Sequence, residues 1–283
     1  MHKFLLILPI FFLFSLPEQS RARASQNIEL TYKAYWGGFT ISKIYANALL
    51  TDRDYRLGIS YKVTGLASVF SNMEQKSEAR GLISQDGTLV PLEYDNEARW
   101  RKSYFTSKAR FDARDGKILS HAFDFKFKKE AEYIPIEENR RFGPDMISYY
   151  LALMTGKENL KIDAEEQHKE IFGGFFLLDM VHQCNEIKKI KSKRSTYKGP
   201  VLVCAFRDKI IDGKFIRVKK DKKKPKKPKK PKKPKPVEIW FAHMTDMDVK
   251  VPVYAEFPIG WGKVRLYLSD MKVMPINEAS ESP

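Results

Sequence analysis

Catalysis and metal binding need side chains that move protons, attack carbon or ligate cations, and this 283-residue chain holds few arranged to do so. Its histidines are His2, His121, His168, His182 and His243, scattered over unrelated segments. No His-Glu-x-x-His pair, Gly-x-Ser-x-Gly elbow or phosphate-cradling loop is present. The glycine pairs Gly37-Gly38 and Gly173-Gly174 read as turns. Carboxylates cluster at Glu137-Glu138 and Glu165-Glu166, but nothing in the sequence sets any two across a cleft. His121, within ILSHAFDF, is the histidine to inspect, and a structural role is the expectation for it. The chain is therefore expected to have no catalytic residue, no metal and no cofactor. A hydrolase with a dispersed active site is the least favoured class.

The remaining reactive groups are Cys184 and Cys204. Zinc needs four ligands, and neither cysteine has a second cysteine or a suitably spaced histidine beside it. Both lie in strand-like segments separated by the polar loop KKIKSKRSTYKGP. Opposed positions on an antiparallel pair satisfy disulfide geometry. A Cys184–Cys204 disulfide is expected in an oxidising compartment, closing a loop worth roughly 3 kcal/mol. Two buried thiols are the alternative.

The compartment is addressed at the start of the chain. Lys3 precedes an apolar run from Phe4 to Pro17, and Ala22-Arg23-Ala24 gives a small-x-small pattern. That is the order of a secretory signal peptide, over residues 1–24 with cleavage near Ala24. The run of 14 residues is short for a membrane-spanning helix, which needs about 20. The mature chain is expected in the periplasm.

Charge is distributed unevenly. The chain carries +16, and residues 219–236 alone hold 12 lysines and one aspartate. Removing their +11 and the +2 of residues 1–24 leaves +3, so the body is close to neutral and is no basic nucleic-acid-binding domain. The segment KKDKKKPKKPKKPKKPKP repeats Lys-Lys-Pro with period three, the period of polyproline II. Proline blocks α-helix and like charges repel, so a disordered, extended loop inserted in the body is expected. Export removes nucleic acid from its partners. Three readings stay open: a solvated insertion, electrostatic attachment to an anionic envelope surface, or an acidic protein partner. Attachment would act through Lys223, Lys224, Lys226, Lys227, Lys229, Lys230, Lys232 and Lys233.

The body reads as β. IELTYKAYW places Ile28, Leu30, Tyr32, Ala34 and Trp36 on one face, and YRLGISYKV alternates in the same way. Asp86-Gly87, Asp115-Gly116 and Asp212-Gly213 punctuate such runs as hairpin turns. The pattern predicts a mainly β fold: a curled antiparallel sheet or half-barrel of about a dozen strands over residues 25–275, with a flexible tail at 276–283. One segment breaks the period. GPDMISYYLALMTGK predicts a single amphipathic helix over about 144–155, packed on the sheet. A weaker helix is expected around Ala164–Lys169. Phe172–Leu178 fits a mobile flap or a buried strand equally well.

Aromatic residues make up 13% of the chain, and core packing accounts for most of them. A curled sheet crossed by a helix can also leave an apolar hollow that holds a ligand. Candidates to line it are Trp36, Tyr61, Phe123, Phe125, Tyr150 and Met154.

The order of YKAYWGGFTISK, YRLGISYKVTGLASVF, SEARGLISQDGTLVPLEY, GPDMISYYLALM, VLVCAFRDKIIDGKF and VKVPVYAEFPIGWGKVRLYL resembles the bacterial exported envelope family called domain of unknown function 3108. The resemblance spans nearly all of residues 28–268. It rests on dispersed positions such as Tyr32, Gly38, Gly81, Pro91, Tyr94, Pro144-Asp145, Cys204 and Gly262. The lysine segment is an insertion relative to that pattern, and Leu177–Cys184 departs from it. The resemblance implies a half-barrel similar to those of periplasmic lipoprotein carriers. The favoured expectation is a non-enzymatic, monomeric envelope protein that binds a lipid or acyl chain in the hollow. The alternative is an adaptor for another envelope protein, with a filled interior and an exposed sheet edge.

Overall fold

The computed structural model describes residues 25–65, 67–70, 72–156, 158, 160–162, 165–217, 235–260 and 262–275. The expected signal peptide, residues 218–234 of the Lys/Pro-rich segment and the tail at 276–283 lie outside them.

Seven strands form a meander: β1 (Gln26–Trp36), β2 (Phe39–Leu50), β3 (Asp54–Val63), β4 (Glu74–Ile83), β5 (Leu89–Trp100), β6 (Ser103–Phe111) and β7 (Ile118–Lys126), with the short helix α1 (Ala67–Phe70) between β3 and β4. After β8 (Ala131–Ile134) and α2 (Met146–Met154) come β9 (Gln167–Phe172), β10 (Leu177–Ile190), β11 (Gly199–Asp212), β12 (Lys214–Arg217), β13 (Val237–Met244), β14 (Val249–Ile259) and β15 (Gly262–Pro275). Thirteen strands make one antiparallel sheet in the order β7-β6-β5-β4-β3-β2-β1-β15-β14-β13-β11-β10-β9. β8 and β12 pair separately. The mainly β expectation therefore holds, with period-two alternation as its cause. In β1, Ile28, Leu30, Tyr32 and Ala34 are buried, while the residues between them face outward or are partly covered.

The sheet does not close by a ladder, but a strap spans the gap between its edge strands. Ile118 N donates to Arg141 O, and Phe172 N donates to Pro144 O, each at 2.8 Å. Single bridges, Lys117 with Phe142 and Asp145 with Phe172, tie residues 142–145 to the β7 and β9 sides. Gly143 permits the close approach: its φ is +104°, and a Cβ there would sit 2.9 Å from Glu170 O.

The expected helix forms over Met146–Met154 with Asp145 as N-cap, accepting from Ser148 N at 2.9 Å. It is not packed through one face alone. Ile147 and Leu151 join the larger cluster, which draws on strands from β1 to β15, while Tyr149 and Leu153 join the one under β9–β14. A helix apolar on most sides is held inside, and α2 wedges between the two halves of the curled sheet. The weaker helix expected at Ala164–Lys169 is a correction. Gln167–Phe172 is strand β9, paired with β10 from Phe172–Leu177 to Gln167–His182. Cross-strand pairing at a Gly-Gly turn outweighs the local helix propensity of this short run. Leu177–Cys184, the departure from the family pattern, keeps its ladder to β11.

Candidate functional site

The helix start and the strap bring Tyr55, Asp145 and Ser148 together in the interior, all essentially inaccessible. The Tyr55 hydroxyl and Ser148 Oγ lie 2.9 Å apart. One Asp145 carboxylate oxygen caps the helix; the other, Oδ2, is buried without a partner. Burial lifts the Asp145 carboxyl to about 6, and hydrogen bonds from Ser148 hold it from rising further. Burial also pushes up the hydroxyls of Tyr55 and Tyr94, with the Asp145 charge adding to both. This group caps the start of α2. The Ser148 hydroxyl lies between the Tyr55 hydroxyl and the Asp145 carboxyl.

A second interior group is aromatic. The β9–β10 hairpin inserts Phe175 among Phe105, His121, Phe123, Phe125, Tyr133 and Phe215, with centroids 5.3–6.2 Å from its own ring. Two bonds clamp the tip: Ser107 Oγ donates to Gly174 O at 2.8 Å, and the Tyr133 hydroxyl to Phe175 O at 2.7 Å. Phe172–Leu178 is thus a strand end, a clamped turn and a strand start. His121 Nε2 lies 3.0 Å from Ser107 Oγ. Burial, with help from the nearby Arg141 charge, lowers its pKa to about 4, which keeps the ring neutral near pH 7. Deeper in, the Tyr149 hydroxyl meets His182 Nδ1 at 3.0 Å, and the His182 ring stacks on Phe206.

The candidate lining residues fall at three places. Tyr150 and Met154 border an apolar cavity of about 60 Å³ between α2 and β1–β3, with Ile28, Leu57 and Ile147. Phe123 and Phe125 belong to the aromatic group on β7. Trp36 and Tyr61 sit near the ends of β1 and β3, where Tyr61 donates to Gln75 Oε1 at 3.1 Å. A larger concavity lies elsewhere, an open trough of about 750 Å³ along β2–β7. Its charges are paired across strands, Arg80 with Glu93 at 2.7 Å and Lys108 with Asp95 at 2.8 Å, as on a solvated sheet face.

The predicted disulfide is present: Cys184 and Cys204 are opposed in the β10–β11 register and joined. Among the described residues no three His, Cys, Asp or Glu groups are placed to hold a metal, and no helix is long and apolar enough to cross a membrane. The eight candidate lysines of the Lys/Pro-rich segment lie outside the described residues. Sequence reasoning took Asp145 only as a helix start and missed its burial. The signal was available in part, since Pro144-Asp145 fixes the cap, but the covering strap is a long-range feature.

No curated protein matches the chain. Among solved structures, the chain is similar to a β-barrel-like protein of the unknown-function domain DUF1849 from Brucella abortus, at 7% identity and TM-score 0.44, over 89% of this chain and 98% of that one. The family described as a protein of unknown function, DUF3108, has a model that matches residues 31–269, and this chain belongs to that family.

Proposed function

We propose that this is an exported, non-enzymatic protein of the cell envelope that works through its surface, as a monomeric scaffold for another envelope protein. Its Lys/Pro-rich segment attaches it to an anionic surface through the lysines from Lys223 to Lys233. The observation that carries this reading is the filled interior. Helix α2 occupies the curl of the sheet: the apolar cavity between it and β1–β3 is about 60 Å³, far below the roughly 300–1,000 Å³ of ligand pockets, and the concavity of about 500 Å³ on its other side, by Ser148, Tyr149 and Ala152, is open and bordered by Glu158, Lys169 and Glu170. Carriage of an acyl chain would require α2 to leave its place between the two core clusters. The A-x-A pattern after a short apolar run and the paired cysteines support export.

Native mass spectrometry with lipid extraction, on protein purified from its own periplasm, tests the reading. The expected result is the mass of the mature polypeptide with the disulfide and no lipid. A stoichiometric acyl species, lost on Tyr150→Asp, would overturn the scaffold reading in favour of carriage.

A further inference from the structure

Connections in an antiparallel sheet alternate between its two ends, and one end of this sheet carries exposed apolar side chains on several of its connections. That end gathers the β1–β2 turn, the β3–β4 link through α1, the β5–β6 turn, the β7–β8 link and the β14–β15 turn. The registers and contacts make them one rim. Trp36 of β1 pairs with Val264 of β15, Thr64 N donates to Ile41 O, and the Arg101 guanidinium donates to Val69 O at 3.3 Å. Lys128 N closes the series by donating to Ser103 Oγ.

This rim exposes apolar side chains where solvent-facing turns ordinarily carry polar ones. Val69 is 73% exposed, Phe39 66% and Ile259 42%. Partly exposed Trp100 and Phe127 lie 5.9 Å apart, and Phe127 continues to Phe215 of β12 at 4.9 Å. Between these groups stand exposed bases: Arg101, Lys102, Lys128, Lys129 and, at the start of β15, Lys263. Among the described residues of the five connections Glu130 is the acid, and Glu256 of β14 is ion-paired with Lys263. The Lys/Pro-rich segment is rooted here too. Arg217 before it pairs with Ala131, and Glu238 after it pairs with Glu256, three residues from Ile259. At the opposite end, the β2–β3, β4–β5 and β6–β7 turns hold Asp52, Asp86, Asp112 and Asp115 against Arg53, Arg114 and Lys117, while the β10–β11 connection carries Lys191, Lys193, Arg194 and Lys198; both ends are basic in part, and the exposed apolar side chains of the first rim set it apart from these turns.

Exposed aromatic and aliphatic groups interleaved with bases suit the boundary between headgroups and acyl chains, where rings settle and bases meet lipid phosphates. Stable peripheral attachment takes two signals, an apolar and an electrostatic one, and this rim supplies both. We propose that the rim is a membrane-docking surface. It inserts Phe39, Val69, Trp100, Phe127 and Ile259 shallowly into an anionic phospholipid bilayer, standing the curled sheet on end. The proposal rests on the surface-attached reading above and replaces a loose tether with a fixed orientation.

The test is sedimentation of the mature chain with vesicles of phosphatidylglycerol and phosphatidylcholine, and with vesicles of phosphatidylcholine alone. The variants are Phe39→Asp with Val69→Asp, Lys102→Glu with Lys128→Glu, and deletion of residues 219–236. Thermal melts check folding, which the high exposure of all four substituted positions should spare. The expected result is binding to anionic vesicles only, weakened at least tenfold by either double substitution even with the lysine segment intact. Wild-type binding by both double variants, with loss only on deletion, would overturn the rim and leave the electrostatic tether standing. No binding by the wild-type chain at low salt would overturn both. If one pair fails to fold, the other decides by the same criterion.

Discussion

Asp145 and His121 are two buried titratable side chains whose effects on stability oppose each other. Burial raises the Asp145 carboxyl from 3.8 to about 6. The folded protein then holds a proton that the unfolded chain releases, so its contribution is full below pH 4 and is lost as pH rises through 6. Burial lowers His121 from 6.5 to about 4, so its contribution is full above pH 6.5 and is lost as pH falls through 4. Each shift amounts to about 3 kcal/mol at most, over nearly the same window. The two slopes should largely cancel, and wild-type stability due to this pair should be nearly flat between pH 4 and 6.5. Asp145→Asn keeps a capping oxygen but removes the titration, so its stability should rise with pH across that window. His121→Phe should show the reverse slope. Urea midpoints at pH 4.5 and 6.5 check both; parallel profiles for wild type and variants would refute the assignment. At this scale the sequence was partly legible. Pro144-Asp145 announces a helix start, and His121 sits in an aromatic strand. Their burial depends on Gly143–Asp145 crossing to β9 and on Phe175 reaching β7, and neither contact leaves a local pattern.

Elements were more legible, because a half-buried strand repeats every two residues and Asp-Gly or Gly-Gly marks its end. The alternation of β1 and β3, the β4–β5 and β6–β7 turns and the opposed cysteines of β10 and β11 all follow from that rule. β9 was misread because its visible run is short and its partner follows a turn. Helix α2 was placed correctly, but its residues pack on both sides, which a reading of one apolar face does not anticipate. The disulfide closes a separation of 20 residues near the β9 edge of the sheet. Replacing both cysteines by alanine should lower unfolding stability by about 3 kcal/mol. Reductant should shift the wild-type urea midpoint toward that of the variant and leave the variant unmoved. A variant as stable as the oxidised wild type would show that the crosslink adds nothing to the β10–β11 ladder.

For the whole molecule, composition located the basic charge in one segment and left a near-neutral body, and the strand pattern gave a single curled sheet. The strap, the placement of α2 inside the curl and the apolar rim were not legible, since each is a sum over connections far apart in sequence. One such long connection also orders the birth of the fold. β1 lies between β2 and β15, and its pairing with β15 runs from Gln26–Pro275 to Trp36–Val264. A chain that emerges N-terminus first can zip β1 through β7 by neighbour pairing, yet β1 shows a bare flank until Gly262–Pro275 appears. Non-local pairing of this kind is slow and leaves a sticky edge open meanwhile. A chain cut before Gly262 should therefore aggregate or bind a holding chaperone, and a separate 262–275 peptide should rescue it in trans. Recovery of soluble protein with and without the peptide is the measurement, and a truncated chain soluble alone would contradict it. The oldest strand thus waits for the youngest, and in an exported chain that interval falls in the compartment where a guardian for the unfinished edge would have to stand.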